Sequence, residues 1–228
     1  MFEGRVMNTR STVVLVIDED PILVRSLRRL LSAAGHQVRV FSSTSDLYRI
    51  SIEPDCSRCA IIDLEIGGGN GLTIQSALER RFPDIPVIFI SADGDVPSTV
   101  RAMKAGAVDF LTKPLEEHAV LESVRRALEK DRSSQHERNE LTEIARRFNS
   151  LTPREHEVLE LVVSGRLNKQ IGGELGTSEK TIKVHRGRIM RKMGVQSLAE
   201  LVQVIVKLRG ASSAIGASKP PRMGVPLR

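Results

Sequence analysis

Side chains that could do chemistry follow four apolar runs in the first half of this 228-residue sequence. Carboxylates gathered in one pocket repel each other unless a cation lies among them, and a divalent ion with oxygen ligands, most simply Mg²⁺, is the natural counterion. A lysine and a hydroxyl beside them would stabilise an added phosphoryl group. The side chains that follow the four runs are Asp18, Glu19 and Asp20, then Asp63, then Ser91, and finally Lys113.

These side chains meet only if the apolar runs are neighbouring strands of one sheet. Five short runs rich in β-forming residues alternate with helical patterns, which predicts an α/β fold with a doubly wound five-stranded parallel sheet. The runs are residues 12–17, 37–41, 59–62, 85–90 and 107–111. We expect the alternating run 37–41 at an edge and the fully apolar runs in the centre. Ligands bind such sheets at the carboxyl ends of the strands, so the side chains above are expected to converge. The simpler alternative is that Asp18 and Asp20 cap the next helix and Asp63 opens a turn.

The second half of the chain reads as a small helical domain. Residues 151–208 carry four helical patterns, the first of which starts with a capping box formed by Thr152 and Glu155 around Pro153. Gly176 and Ser178 separate the second and third helices, which is typical of a helix-turn-helix. We therefore predict an all-α four-helix helix-turn-helix domain, whose third helix enters the major groove of DNA.

The third helix of this domain has two unlike faces. At 100° per residue, Ile182, Ile189 and Met193 face the core. The opposite face combines cations, which suit phosphates and purine acceptors, with one apolar residue that suits a thymine methyl group. Its members are Lys180, Lys183, Val184, Gly187 and Arg191. Glu179 is the one acid between residues 178 and 193, whereas an ordinary solvated helix would mix both charge signs.

The charge balance differs between the two halves. Residues 1–130 hold 16 Lys and Arg against 18 Asp and Glu, a net charge of −2, whereas residues 131–228 hold 18 against 10, a net charge of +8. A basic domain favours a polyanion such as DNA. The composition, 40% hydrophobic and 27% charged, excludes disordered and collagen-like chains. No apolar run is long enough for a membrane span or a signal-peptide core, so we expect a cytoplasmic protein with no membrane partner. Cys56 and Cys59 form a lone CxxC without further ligands for zinc, and we interpret them as ordinary thiols.

Residues 131–150 carry charges interrupted by Leu141, Ile144 and Phe148, a thin apolar stripe that predicts a linker helix. Residues 209–228 lack periodicity and are expected to form a disordered tail. The predicted organisation is thus a first domain at 11–130, the linker helix at 131–150, the helix-turn-helix domain at 151–208 and the tail at 209–228.

The segments VVLVIDEDP, CAIIDLE, VIFISADGD and VRAMKAGAVDFLTKP resemble the landmark segments of bacterial response-regulator receiver domains, which are flavodoxin-like. The resemblance implies that Asp63 accepts a phosphoryl group from a sensor histidine kinase. It implies Mg²⁺ held by Asp18, Glu19, Asp63 and the backbone carbonyl of Glu65. It also implies that Ser91 and Lys113 contact the phosphoryl oxygens, that Phe110 is the switch aromatic, and that the bond before Pro114 is cis. Glu19 departs from the more usual aspartate. Ile66–Gly67 stands where Met-Pro is typical, and Gly67–Gly69 with Asn70 and Gly71 makes an unusually flexible loop beside Asp63.

The stretch LTPREHEVLELVVSGRLNKQIGGELGTSEKTIKVHRGRIMRKMGVQSLAELV resembles the LuxR-type DNA-binding domain. Together the two halves resemble a response regulator of the FixJ/NarL group. The resemblance implies that Lys183, Val184 and His185 lie at the DNA interface and that the fourth helix supplies a dimer contact. Gly187 departs from the longer side chain common there, and Arg188 is a candidate to replace its contact.

The predicted function is a transcriptional regulator in which phosphorylation of Asp63 promotes homodimerisation and frees the helix-turn-helix to bind double-stranded DNA. Its only enzymatic chemistry would be its own phosphorylation and dephosphorylation. One alternative is a DNA-binding regulator with a degenerate receiver that acts without phosphorylation. A phosphatase of the haloacid-dehalogenase type would also use an aspartyl nucleophile with Mg²⁺, but it leaves residues 151–207 unexplained.

Overall fold

The computed structural model describes residues 11–42, 56–66, 71–82 and 84–215. The chain divides into two compact units, with the boundary between Gln135 and His136. The glycine-rich stretch 67–70 lies outside the described residues, as does the end of the chain from residue 216.

The first unit is a five-stranded parallel sheet flanked by helices, as predicted. Its strands lie in the order β2-β1-β3-β4-β5. The elements in chain order are β1 (Thr12–Ile17), α1 (Pro21–Ala33), β2 (Gln37–Phe41), β3 (Ser57–Asp63), α2 (Gly71–Arg81), β4 (Val87–Ser91), α3 (Val96–Lys104), β5 (Asp109–Thr112) and α4 (Glu117–Asn149).

The burial of the strands explains their order. Every residue of β1 and β4 is buried, and so are all but one of β3, because these strands are apolar on both faces. Alternate residues of β1 point into two separate clusters, one with Leu15 and Phe89 and the other with Val14 and Leu31. Strand β2 is only partly buried, which confirms its prediction as an edge strand.

Helix α4 is bound to the amino end of β3 by polar contacts inside the first unit. The Asp131 side chain is fully buried, and its Oδ2 accepts hydrogen bonds from the backbone N–H of Arg58 at 2.9 Å and from Gln135 Nε2 at 2.7 Å. Gln135 Nε2 also donates to the carbonyl of Cys56 at 2.7 Å. These contacts give β3 polar partners at the end of the strand opposite Asp63.

The second unit contains the last turns of α4 and four further helices: α5 (Pro153–Val163), α6 (Asn168–Glu174), α7 (Glu179–Met193) and α8 (Leu198–Ile215). The predicted capping box at Thr152 and Glu155 is present, and the Ser178 side chain caps α7. Helix α7 ends at Gly194, whose left-handed φ of +69° favours glycine. The core joins Leu159, Ile171, Ile182 and other apolar side chains.

The structure differs from two predictions, one about the segment that joins the domains and one about the segment that follows them. Residues 131–149 do not form a helix of their own but continue α4, which starts at Glu117. The tail expected from residue 209 is helical as far as Ile215, because it extends α8 and each added residue gains a backbone hydrogen bond without a new nucleation cost. The rest of the predicted tail lies outside the described residues. Within the described ranges, no helix is both long and apolar enough to cross a bilayer.

Candidate functional site

The register of the sheet brings four of the predicted side chains to one edge. Ile17 pairs with Ile62, so Asp18 and Asp63, each one residue further on, follow neighbouring positions. Asp63 pairs with Ile90, one residue before Ser91, and Ser91 pairs with Thr112, one residue before Lys113. The carboxyl ends of β1, β3, β4 and β5 thus carry the four groups side by side.

The Lys113 ammonium joins two of these groups. Its Nζ donates to Asp63 Oδ2 at 2.8 Å and to Asp18 Oδ2 at 3.0 Å. Desolvation lowers the pKa of Lys113, but the hydrogen bonds and charges of Asp63 and Asp18 outweigh it and raise the pKa above its ordinary value. The Asp63 side chain is 11% exposed, which leaves a path for an incoming group, whereas that of Asp18 is 1% exposed.

The side chains of Ser91 and Phe110, which lie at the same edge of the sheet, bind or pack against other groups. The Ser91 hydroxyl donates to the carbonyl of Asp93 at 2.9 Å and accepts from the Asp93 N–H at 3.0 Å, so it orders the loop after β4. Phe110 is half-buried and packs against the core cluster of Leu15 and Phe89. The bond between Lys113 and Pro114 is cis, as the resemblance implied.

The four predicted metal ligands divide into two pairs. Asp18 and Asp63 converge on one cation, which shows that their carboxylates can share a positive charge. Glu19 and Glu65 are exposed, and the Glu65 N–H donates to Asp63 Oδ1 at 3.1 Å. In the described part of the chain, no three His, Cys, Asp or Glu side chains are grouped closely enough to hold a metal ion. Asp18, Glu19 and Asp63 thus do not form such a group.

Asp20 has the simpler of its two expected roles. Its Oδ1 accepts from the N–H groups of Ile22 at 2.8 Å and Leu23 at 3.3 Å, so it caps α1. Its own N–H donates to Asp18 Oδ1 at 2.7 Å, and this bond orients the Asp18 carboxylate. The capping alternative is thus right for Asp20, whereas Asp18 and Asp63 lie in the pocket.

Gly71, which the sequence placed in a flexible loop beside Asp63, is the first residue of α2 and lies close to β3. A Cβ at Gly71 would lie 2.5 Å from the backbone carbonyl oxygen of Asp63 and 3.2 Å from the Phe89 ring. The first turn of α2 therefore rests directly on the strand that carries Asp63. The glycine-rich composition around Gly71 predicted flexibility and gave no signal of this close approach.

Helix α7 presents the two faces that helical periodicity predicted. Ile182, Ile189 and Met193 are buried. The opposite face is exposed, and so is Arg188, while His185 is half-buried. The exposed residues on that face are Lys180, Lys183, Val184, Gly187 and Arg191.

Two further cations of α7 contact the rest of the second unit, and the sequence reasoning did not single them out. Arg186 donates to Asn168 Oδ1 at 2.8 Å, which joins α7 to the first turn of α6. Lys192 Nζ donates to Glu155 Oε2 at 2.7 Å. Charge alone does not distinguish these two side chains from the exposed ones.

Comparison with known families assigns both halves of the chain. Residues 14–125 match the response regulator receiver domain, and residues 149–205 match the luxR family of bacterial regulatory proteins.

Full-length relatives share this organisation. Nodulation protein W of Bradyrhizobium diazoefficiens is 39% identical over 201 residues, which cover 88% of each protein. The structure of the response regulator StyR superposes with a TM-score of 0.76 at 41% identity and covers 86% of this chain and 99% of StyR. Full-length FixJ from B. japonicum gives a TM-score of 0.51 at 32% identity and covers 89% of this chain and 99% of FixJ.

Proposed function

Because this chain belongs to the FixJ/NarL-type two-component response regulators, with a receiver domain and a LuxR-type DNA-binding domain, we propose that phosphorylation of Asp63 controls its binding to DNA. The single observation that carries the proposal is the Asp63 carboxylate, which lies at the end of β3, partly open to solvent and 2.8 Å from the Lys113 ammonium. The proposed phosphodonor is a phosphohistidine of a sensor kinase.

In the proposed reaction a carboxylate oxygen of Asp63 attacks phosphorus, and the bond between phosphorus and the histidine nitrogen of the kinase breaks. The products are an aspartyl phosphate and a neutral histidine. Lys113 is placed to follow the growing negative charge, since its ammonium already binds Asp63 Oδ2. Ser91 would exchange its hydrogen bond to the Asp93 carbonyl for one to a phosphoryl oxygen.

The donor set fits a divalent cation, because two carboxylates already converge on the single positive charge of Lys113. Asp18 and Asp63 would hold Mg²⁺, together with the Glu65 carbonyl and, after a change of side-chain orientation, Glu19. When bound, the ion would neutralise charge on the phosphoryl oxygens. Asp20 supports this arrangement because its N–H fixes the orientation of the Asp18 carboxylate.

The proposed output is homodimerisation of the phosphorylated chain, which frees α7 to bind the major groove of double-stranded DNA. The exposed cations and Val184 on α7 support this role, since they combine phosphate-binding and methyl-contacting groups on one face. The proposed DNA-binding residues are Lys180, Lys183, Val184, His185, Arg188 and Arg191. Several relatives carry the names response regulator or transcriptional regulatory protein, and the only catalysis proposed for this chain is the turnover of the phosphoryl group on Asp63. Since the target is DNA, the proposed place of action is the cytoplasm.

One observation favours a second candidate, a regulator that binds DNA without phosphorylation. The exposed Glu19 carboxylate does not join Asp18 and Asp63, so the receiver could lack a third acidic ligand. Loss of metal binding would abolish phosphoryl transfer and leave the DNA-binding surface intact.

Incubation with Mg²⁺ and radiolabelled acetyl phosphate separates the two candidates. We expect the wild-type chain to incorporate one phosphoryl group and Asp63→Asn to incorporate none, because the amide is not a nucleophile. Asp95→Asn is the matched control, since the Asp95 side chain is exposed and makes no capping hydrogen bond. Full labelling of Asp63→Asn would contradict the assignment of Asp63, and an unlabelled wild-type chain would favour the second candidate.

A further inference from the structure

The carboxyl end of α7 is held by two cations within the second unit. Lys192 Nζ donates to Glu155 Oε2 at 2.7 Å and to the carbonyl of Ser150 at 3.0 Å. A guanidinium nitrogen of Arg147 donates to the carbonyl of Met193 at 3.2 Å. Both cations thus attach the end of α7 to the short segment in which α4 ends and α5 begins.

The groups that these two cations bind, the Glu155 carboxylate and the Met193 carbonyl, are destabilised when they lack a hydrogen-bond partner. The Glu155 side chain is 4% exposed, and a buried carboxylate without a cation is costly. Desolvation raises the pKa of Glu155, but the hydrogen bonds from Lys192 and Thr152 outweigh it and lower the pKa. The Met193 carbonyl belongs to the last turn of α7, where carbonyls have no partner within the helix. Helix geometry therefore favours a cation at this end.

Gly194 makes room for the Arg147 contact. A Cβ at this position would clash with a guanidinium nitrogen of Arg147 and lie 3.2 Å from its central carbon. The residue that ends α7 thus leaves space for the side chain that binds the end of α7. This close approach places the last turn of α4 directly against the carboxyl end of α7.

The cations of α7 accordingly form two sets. Lys180, Lys183, Arg188 and Arg191 are exposed, and none of their side chains forms a hydrogen bond or ion pair with another described residue. Arg186 and Lys192 point into contacts with α6 and with the start of α5. The first set is available for DNA, whereas the second is already engaged.

We propose that Arg147 and Lys192 are positioning residues for DNA recognition, which fix the angle of α7 against the junction of α4 and α5. The proposal rests on the proposed role of the exposed face of α7 in DNA binding. Contacts to base edges require α7 at a defined depth and tilt, whereas attraction to phosphates tolerates variation in both. Arg147 and Lys192 therefore affect the choice of DNA sequence without touching DNA.

The salt dependence of binding separates positioning from direct contact. A lysine that neutralises a phosphate contributes about 0.9 to the slope of log K against log salt concentration. We expect Lys192→Met and Arg147→Met to leave this slope unchanged and to lower affinity for a specific duplex about tenfold, the size of one lost base contact. Lys183→Ala is the comparison for direct contact, and it lowers the slope if Lys183 binds a phosphate.

The experiment uses the full chain treated with acetyl phosphate and Mg²⁺. The specific probe is a duplex selected by the wild-type chain from a random-sequence pool, and the reference is a mixed-sequence duplex of the same length. Fluorescence anisotropy across a salt series gives both affinities and both slopes. Circular dichroism fixes a temperature at which each variant is folded.

Arg146→Met is the matched control for Arg147→Met. Both arginines pair with Glu143, and in the described part of the chain only Arg147 bonds to the end of α7. Lys192→Arg is the conservative variant that retains a donor for Glu155. We expect both controls to keep the wild-type preference for the selected duplex.

A loss of preference in Lys192→Met and Arg147→Met, with unchanged slopes and unchanged affinity for the mixed-sequence duplex, supports the proposal. A slope that falls in Lys192→Met as in a phosphate-contact variant would overturn it, and so would wild-type preference in both folded variants. If Lys192→Met does not fold, Arg147→Met decides, since it removes only one contact to α7. A wild-type chain that selects no duplex would overturn the proposed DNA binding itself, a distinct result.

Discussion

One ammonium serves two carboxylates at the carboxyl edge of the sheet. Lys113 binds Asp18 and Asp63 together, and this raises its pKa above the ordinary value of 10.5. A group whose pKa is raised on folding contributes stability that is complete below its unfolded pKa and is lost as pH rises through the folded one. The pairing therefore persists at neutral pH, and Lys113 is charged when a phosphoryl group arrives.

Gly71 is expected to be intolerant of any side chain. Gly71→Ala places a Cβ 2.5 Å from the Asp63 carbonyl oxygen, and we expect it to lower the free energy of unfolding of the receiver domain by about 1–3 kcal/mol. Gly173→Ala is the control, because nothing lies within 4 Å of its Cβ position and alanine favours the helix. Urea unfolding of the full chain measures both. Equal stability of the two variants would show that the α2–β3 contact relaxes freely.

Because the buried Glu155 carboxylate is paired, we expect the free energy of unfolding of the second unit to fall at acid pH. The pKa of Glu155 is lowered on folding, so its contribution is present above the ordinary pKa of 4.5 and is lost as pH falls through the folded value. We expect Glu155→Gln to cost about 1–3 kcal/mol at pH 7, the size of a hydrogen bond to a charged group. We also expect its unfolding free energy to vary less below about pH 5 than that of the wild type.

Glu157→Gln is the control for this measurement. Its carboxylate pairs with Arg154 on the surface, where both side chains are more than a third exposed, so the loss should stay below about 1 kcal/mol. Urea unfolding at several pH values provides the comparison. The assignment would be wrong if both variants followed the same pH profile.

At the scale of elements, α4 is held by the first unit as far as Gln135. Asp131→Ala removes the acceptor for the backbone N–H of Arg58, and we expect it to cost about 1–3 kcal/mol because that donor is left unsatisfied. Ser133→Ala, two residues along the same helix, removes only a bond to the Glu129 carbonyl, and its effect should stay within about 0.5 kcal/mol. Thermal unfolding of the two variants tests this, and a neutral Asp131→Ala would contradict the anchoring role.

Several elements were predictable from short-range patterns, and the differences have physical causes. The limits of β1 and β2 match the prediction because turn residues flank them, whereas β5 begins two residues later than its apolar run suggested. The faces of α7 follow from helical spacing alone. Periodicity did not predict that α4 continues through the linker. The apolar stripe becomes thinner in residues 131–150, which suggested a separate helix, although the backbone remains helical without a break.

The positions of the site residues that depend on strand register were predictable from the sequence. The contacts that depend on side-chain conformation were not. Parallel pairing brings Asp18, Asp63, Ser91 and Lys113 together, and the apolar runs predicted that residues 37–41 form an edge strand but not the full strand order. The exposure of Glu19 and the Ser91 bond to Asp93 depend on local side-chain conformations that spacing does not encode. The contacts of Lys192 and Arg147 join residues that are distant in the sequence, so no local pattern predicts them.

The two halves of the whole molecule differ in charge: residues 1–130, which include the receiver domain, have a net charge of −2, and residues 131–228, which include the DNA-binding domain, have a net charge of +8. A shift of about 1.4 kcal/mol in the free energy of DNA binding is a tenfold change in affinity. A modest change in the association of phosphorylated chains is therefore enough for regulation.

Phosphorylation of Asp63 is proposed to control DNA binding, and the affinity of the full chain for a selected duplex, measured with and without acetyl phosphate, tests this proposal. Titrations of wild type and Asp63→Asn, with sedimentation to report dimer formation, give the comparison. We predict that phosphorylation strengthens wild-type binding about tenfold or more together with dimerisation, while Asp63→Asn stays at the unphosphorylated level. Unphosphorylated wild type that binds as tightly as the phosphorylated form at every concentration would contradict the account.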